Sequence, residues 1–171
     1  IIGRNELLGV RYLEGGLAAS RAVGRVVIRS AAGATLGYGT GSMVSPTLLM
    51  TNNHVLSSPG TARNSTVEFN FQLGIDNQPQ RSVTFALDPE AFFVTSPEDE
   101  LDLSLVAVRP EAFNGGSLGE FGFSPLKAVE AEILNGESVT VIQHPGGEPK
   151  QIALRENRVL KLPNTLDRFL Y

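Results

Sequence analysis

Apolar and polar positions along the chain fall into short blocks with a period of two. Val67-Glu68-Phe69-Asn70-Phe71 alternates strictly, and Val83-Thr84-Phe85-Ala86-Leu87 repeats the pattern, which predicts two half-buried strands. Arg25-Val26-Val27-Ile28-Arg29 predicts another, a turn at Ala32-Gly33-Ala34 leads into Leu36-Gly37-Tyr38-Gly39, and Phe92-Phe93-Val94 adds a further apolar piece. Gly39 to Leu56 reads as two short apolar strands joined by a Ser45-Pro46 turn. Farther on, a strand over Glu137–Gln143 ends in a Pro145-Gly146 turn and returns through Ile152-Ala153-Leu154. One segment departs from this period. Leu13 to Ala22 is rich in Leu and Ala with Glu14 and Arg21, a short amphipathic helix whose start Gly15 and Gly16 weaken. Ser57 to Asn64 and Gly74 to Gln80 read as polar loops. Short strands at this spacing predict a closed barrel or a sandwich.

Composition narrows the classes. With 171 residues, 42% of them hydrophobic, the chain can bury one substantial core or two small ones. A net charge of −4 without a basic block argues against a nucleic-acid partner. No apolar run approaches the ~18 residues of a membrane span. The absence of cysteine removes disulfides, thiol nucleophiles and thiolate metal sites together. Two histidines without His-x-x-x-His or Glu-x-x-His spacing do not make a zinc site, so neither metal nor cofactor is expected.

Candidate chemistry concentrates at two places. Thr51-Asn52-Asn53 is too polar to extend a core strand, so His54 falls at a turn, held yet reachable, as a general base requires. Asp102 stands at the head of the apolar run Leu103-Ser104-Leu105-Val106-Ala107-Val108, where the chain enters a core. A carboxylate there needs a hydrogen-bonding partner, and an imidazole N–H suits it. Asp99 lies outside the apolar run and is not the candidate.

The string Gly-Ser-Met-Val-Ser-Pro…Thr-Asn-Asn-His-Val resembles the histidine box of trypsin-like serine proteases, most of all the cysteine-free bacterial branch that includes glutamyl endopeptidases. Val55 stands where animal relatives carry a disulfide cysteine. Asp-Leu-Ser-Leu-Val is similar to the aspartate box of the same family and follows His54 in the family's order. The resemblance implies an all-β, trypsin-like double β-barrel. Residues 1–24 would be an amino-terminal strap, 25–109 a complete first barrel carrying His54 and Asp102, 110–125 a crossover, and 126–171 the beginning of a second barrel.

Three other features compete for a catalytic role. Gly115-Gly116-Ser117-Leu118-Gly119 formally matches a nucleophile elbow, but lacks the preceding apolar strand and the following helix that the elbow needs. His144, in a turn next to Pro145, reads as structural or exposed. Ile1-Ile2-Gly3 superficially resembles the freed amino terminus of an activated trypsin, a switch that this bacterial-type branch usually lacks.

The family takes its nucleophile from a Gly-Asp/Ser-Ser-Gly box in the second barrel, and no Gly-x-Ser-Gly box follows Asp102 before Asp167-Arg168-Phe169-Leu170-Tyr171. We therefore expect a C-terminal companion fragment or a larger host chain to supply it. The resemblance implies the N-terminal portion of a serine endopeptidase acting on protein or peptide substrates. The alternative is a catalytically inactive trypsin-like domain serving as a binding or regulatory module. Placement as a cytoplasmic module of a larger bacterial protein is the expectation for compartment, with a secreted mature enzyme as the alternative.

Overall fold

The computed structural model describes residues 9–126, 138–154 and 157. The expectations for Ile1-Ile2-Gly3 and for Asp167–Tyr171 lie outside them. The order is helix α1 (Arg11–Arg21), strands β1 (Val23–Arg29), β2 (Thr35–Met43) and β3 (Leu48–Thr51), helix α2 (Pro59–Asn64), then β4 (Thr66–Phe69), β5 (Val83–Leu87), β6 (Phe93–Ser96) and β7 (Leu103–Ala112). A separate antiparallel hairpin, β8 (Val141–Gln143) and β9 (Gln151–Ala153), follows.

The first seven strands pair in the order β3-β2-β1-β4-β5-β7-β6, and β3 also pairs with β7. That last pairing closes β3, β2, β1, β4, β5 and β7 into a ring, with β6 laid along β7. The protein is thus mostly β, a six-stranded closed barrel followed by part of a second. Closure pairs the edges of the six ring strands and leaves the outer edge of β6 as the open one among these seven. β7 makes it possible because its two halves serve different neighbours. Leu105 and Val106 lie between Met50 and Leu49 of β3 on one side and Val94 and Phe93 of β6 on the other, while Val108 and Ala112 meet Leu87 and Phe85 of β5.

The alternation read from sequence is the alternation of burial, although the strand predicted over Val67–Phe71 ends at Phe69, where Asn70 turns the chain at a φ of +58°. Val67 and Phe69 of β4 and Val83, Phe85 and Leu87 of β5 point inward. The barrel core adds Val26, Met43, Leu49 and Val106, with Leu56 and Ala62 from the segment after β3. Phe121 comes from beyond β7, stacks on Phe69 at 4.7 Å between ring centroids and meets Phe85 edge-on at 5.9 Å. It is positioned by a single helical turn, Leu118–Glu120, closed by a capping box between Ser117 and Glu120. Ser117 therefore caps a turn.

Several sequence expectations are corrected. Ser57–Asn64 is not only a loop, because Ser58 accepts a hydrogen bond from the Thr61 N–H and Pro59 opens α2. These are the residue types favoured at a helix N-cap and first position, and the polar composition masked them. β7 runs past Arg109 through Pro110 to Ala112. The register against β5 shifts between Phe85 and Leu87, so Pro110 sits in an irregularity where its missing N–H is tolerated. β1 begins at Val23, two residues before the predicted start. The predicted strand from Glu137 is shorter in its described part, where β8 spans only Val141–Gln143.

The β8–β9 hairpin is fastened to the barrel through its turn. The Arg25 guanidinium bonds Glu68 at 2.6 Å and the Gly147 carbonyl at 2.6 Å, and lies 3.3 Å over the Phe71 ring. Thr40 Oγ1 receives the His144 N–H at 2.9 Å, and the Lys150 N–H reaches the Phe71 carbonyl at 2.8 Å. Gly147 has a φ of +82°, and a Cβ there would overlap Tyr38. Only glycine combines that backbone conformation with so close an approach.

Candidate active site

β3 ends at Thr51, whose buried hydroxyl donates to the Thr40 carbonyl of β2 at 2.8 Å and fixes the point where the chain leaves the sheet. Asn52, Asn53 and His54 form the turn that follows, tied by Val55 N–H and Leu56 N–H to the Asn52 carbonyl. Val55 and Leu56 then drop back into the core. His54 is thus an exposed side chain, 53% accessible, between two buried anchors.

Across from it, Ser96–Asp102 folds on itself. The Asp102 and Glu100 N–H groups both donate to the Pro97 carbonyl, and Ser96 Oγ donates to Glu100. Asp102 closes this loop with a φ of +49°, the left-handed region that non-glycine residues seldom occupy. Its side chain is largely covered, 18% accessible.

The two candidates meet. His54 Nδ1 lies 2.8 Å from Asp102 Oδ2, and the His54 backbone N–H donates to Oδ1 at 3.1 Å. Burial of Asp102 opposes its charge, but the hydrogen bonds from the His54 backbone and ring, its electrostatic attraction to His54 and the Asn52 amide together outweigh it. They hold the carboxyl below its usual range. Asp102 is thereby an ionised acceptor, and Nδ1 is the nitrogen that carries a proton toward it.

Polar side chains unassigned from sequence complete the frame. Asn52 Nδ2 is 3.2 Å from both Asp102 Oδ2 and the Asp102 carbonyl. Asn53 Nδ2 donates to Thr95 Oγ1 on β6 at 2.7 Å. That hydroxyl lies 2.7 Å from Ser104 Oγ, which in turn donates to the Leu56 carbonyl at 2.8 Å. The turn bearing His54 is therefore stitched on one side to Asp102 and on the other, through Thr95 of β6, to Ser104 at the start of β7. In the sequence, Asn52 and Asn53 read as strand terminators and as part of the histidine-box string, with no role of their own.

His144 is not part of this group. It is buried, 3% accessible, with Nδ1 set 3.0 Å from the Glu148 carbonyl. Burial, with Lys150 and Arg25 adding to it, pushes its pKa down to about 4, so it is a neutral ring inside the hairpin turn. A cavity of about 300 Å³ between α1 and the β8–β9 hairpin, walled by Tyr12, Leu17, Leu73 and Ile152, contains neither His54 nor Asp102. Among the described residues no helix is long and apolar enough to cross a membrane, and no three His, Cys, Asp or Glu side chains gather as a metal site.

Comparison with known proteins agrees with this architecture. An uncharacterized protein, y4fB, of Sinorhizobium fredii (strain NBRC 101917 / NGR234) is 40% identical over 168 residues, covering 98% of this chain. The chain spans only 25% of that relative's length. Among solved structures, an inactive mutant form of Rv3671c from M. tuberculosis H37Rv superposes with a TM-score of 0.53 at 20% identity, over 95% of this chain and 65% of that one. The serine endoprotease from Yersinia pestis gives 0.52 at 18% identity, over 85% and 43%. At such identity the two structures speak to the fold alone. Residues 39–169 match the family described as "Trypsin-like peptidase domain", and the chain belongs to that family.

Proposed function

We propose that this chain is the base-bearing part of a serine endopeptidase, with His54 as general base, Asp102 as its orienting carboxylate and a nucleophilic serine contributed by residues outside this sequence. The observation that carries the reading is the 2.8 Å contact between His54 Nδ1 and Asp102 Oδ2. With Nδ1 engaged, Nε2 is the nitrogen left to accept a hydroxyl proton.

The chemistry then follows. As the serine oxygen attacks the scissile carbonyl, its proton passes to His54 Nε2 and the carbonyl becomes an oxyanion. Asp102 stabilises the imidazolium so formed without itself taking the proton. Collapse of the tetrahedral species breaks the C–N bond, and Nε2 returns the proton to the leaving amine. Water repeats the sequence on the acyl-enzyme. Backbone N–H groups beside the serine are the expected oxyanion donors, commonly a large part of such catalysis. Substrates are extended protein or peptide segments that dock along a strand edge.

The test uses the full-length protein, a fluorophosphonate serine probe and intact-mass analysis. The expected result is a single covalent tag on a serine beyond Tyr171, lost together with peptide cleavage in His54→Ala. Proteolysis that survives His54→Ala refutes the assignment of the base. An untagged and inactive full-length protein means a binding or regulatory module instead.

A further inference from the structure

We infer that Asn52 is a positioning residue that holds Asp102, through its carboxylate and its main chain together, in the orientation His54 requires. The inference deepens the proposed function and rests on its assignment of His54 and Asp102.

The geometry is specific. One amide nitrogen, Asn52 Nδ2, lies 3.2 Å from Asp102 Oδ2 and 3.2 Å from the Asp102 carbonyl oxygen. The first oxygen is the one that faces His54 Nδ1. The second belongs to a backbone held at a φ of +49°, a conformation that costs about 1 kcal/mol or more for a residue with a Cβ. The Asn52 amide therefore rewards the left-handed conformation directly, and that conformation aims the carboxylate across the gap to His54. Nor is Asn52 free to wander, since its own carbonyl accepts the N–H groups of Val55 and Leu56 on the far side of the histidine. A single residue thus spans the base, its partner and the turn that joins them.

The electrostatic surroundings are simple. His54 is the titratable group bonded to Asp102, and Glu98, Asp99 and Glu100 stand on the same loop, with Glu100 engaged by Ser96. β3, β6 and the adjoining Leu103–Val108 of β7 carry no titratable side chain. Replacing the Asn52 amide by a carboxylate therefore places a like charge against Asp102 without altering shape, and favours a protonated His54.

Two variants of the full-length enzyme test this. Asn52→Leu removes the donor, and we expect kcat to fall about 10-fold or more with KM within about 2-fold, the loss typical of a hydrogen bond to a charged group. Asn52→Asp is expected to move the acid limb of kcat/KM upward by about one pH unit. The low-field Nδ1–H resonance of His54 should broaden in Asn52→Leu as Asp102 loses its hold. A purely structural role overturns the inference. It would show as a joint change of kcat and KM in Asn52→Leu, with the acid limb unmoved in Asn52→Asp. His54→Ala separates the two levels. If that variant still cleaves, the base assignment fails. If it is inactive while both Asn52 variants behave as wild type, only the role of Asn52 fails.

Discussion

Asp102 shows how one residue can carry several constraints. It must be ionised, aimed at Nδ1 and set at a positive φ, and the His54 and Asn52 bonds address all three requirements. Asp102→Asn keeps the shape but offers an N–H where Nδ1 needs an acceptor, so the imidazole is driven to the wrong tautomer. We expect kcat to fall by roughly 10⁴ with the fold intact, measured by steady-state kinetics beside circular dichroism. The residue types at the site were legible early. His54 stands in a polar turn after an apolar strand, and Asp102 heads an apolar run; both patterns survive in one dimension. Asn52 was illegible because its role depends on a backbone conformation at Asp102 that no spacing rule encodes.

At the scale of elements, the site inherits its precision from packing behind it. Gly39 of β2 lies against Val55, and a Cβ at Gly39 would come within 2.5 Å of Val55 Cγ1. Val55 is short, branched and next to His54, so it cannot yield without moving the turn. Gly39→Ala should therefore destabilise the protein by roughly 1–3 kcal/mol in denaturant titrations and lower the peptidase activity proposed for the full-length protein more than that loss explains. The strands with clean alternation, β4 and β5, were readable because burial on one face is itself a period-two signal. α2 was hidden by composition, since Ser58-Pro59 looks like loop punctuation unless it is read as a cap and first helical residue. The length of β7 was hidden by Pro110, whose usual meaning is suspended by the register shift against β5.

For the molecule as a whole, the hairpin turn links solution acidity to the junction between the barrel and the second unit. His144 is neutral in the fold, with a pKa of about 4 against 6.5 for a free histidine. The unfolded chain therefore takes up a proton first as pH falls. Stability is full above about pH 6.5 and declines toward pH 4, by on the order of 3 kcal/mol if His144 acts alone. Asp102 differs, because its depressed value keeps its contribution until pH falls below the ordinary carboxylate range. Urea titrations from pH 7.5 to 3.5 should resolve the His144 slope, and His144→Phe should flatten it between pH 6.5 and 4. The ring topology also bears on synthesis. β7 is the last strand of the barrel to leave the ribosome, yet it is the strand that pairs with β3, β5 and β6. Until it emerges, β3 and β5 have open edges and Asp102 has nothing to hold it opposite His54. Translation thus sets the order of assembly: the nascent chain carries His54 for some fifty residues before Asp102 follows it, and the event that closes the barrel is the one that brings the two side chains together.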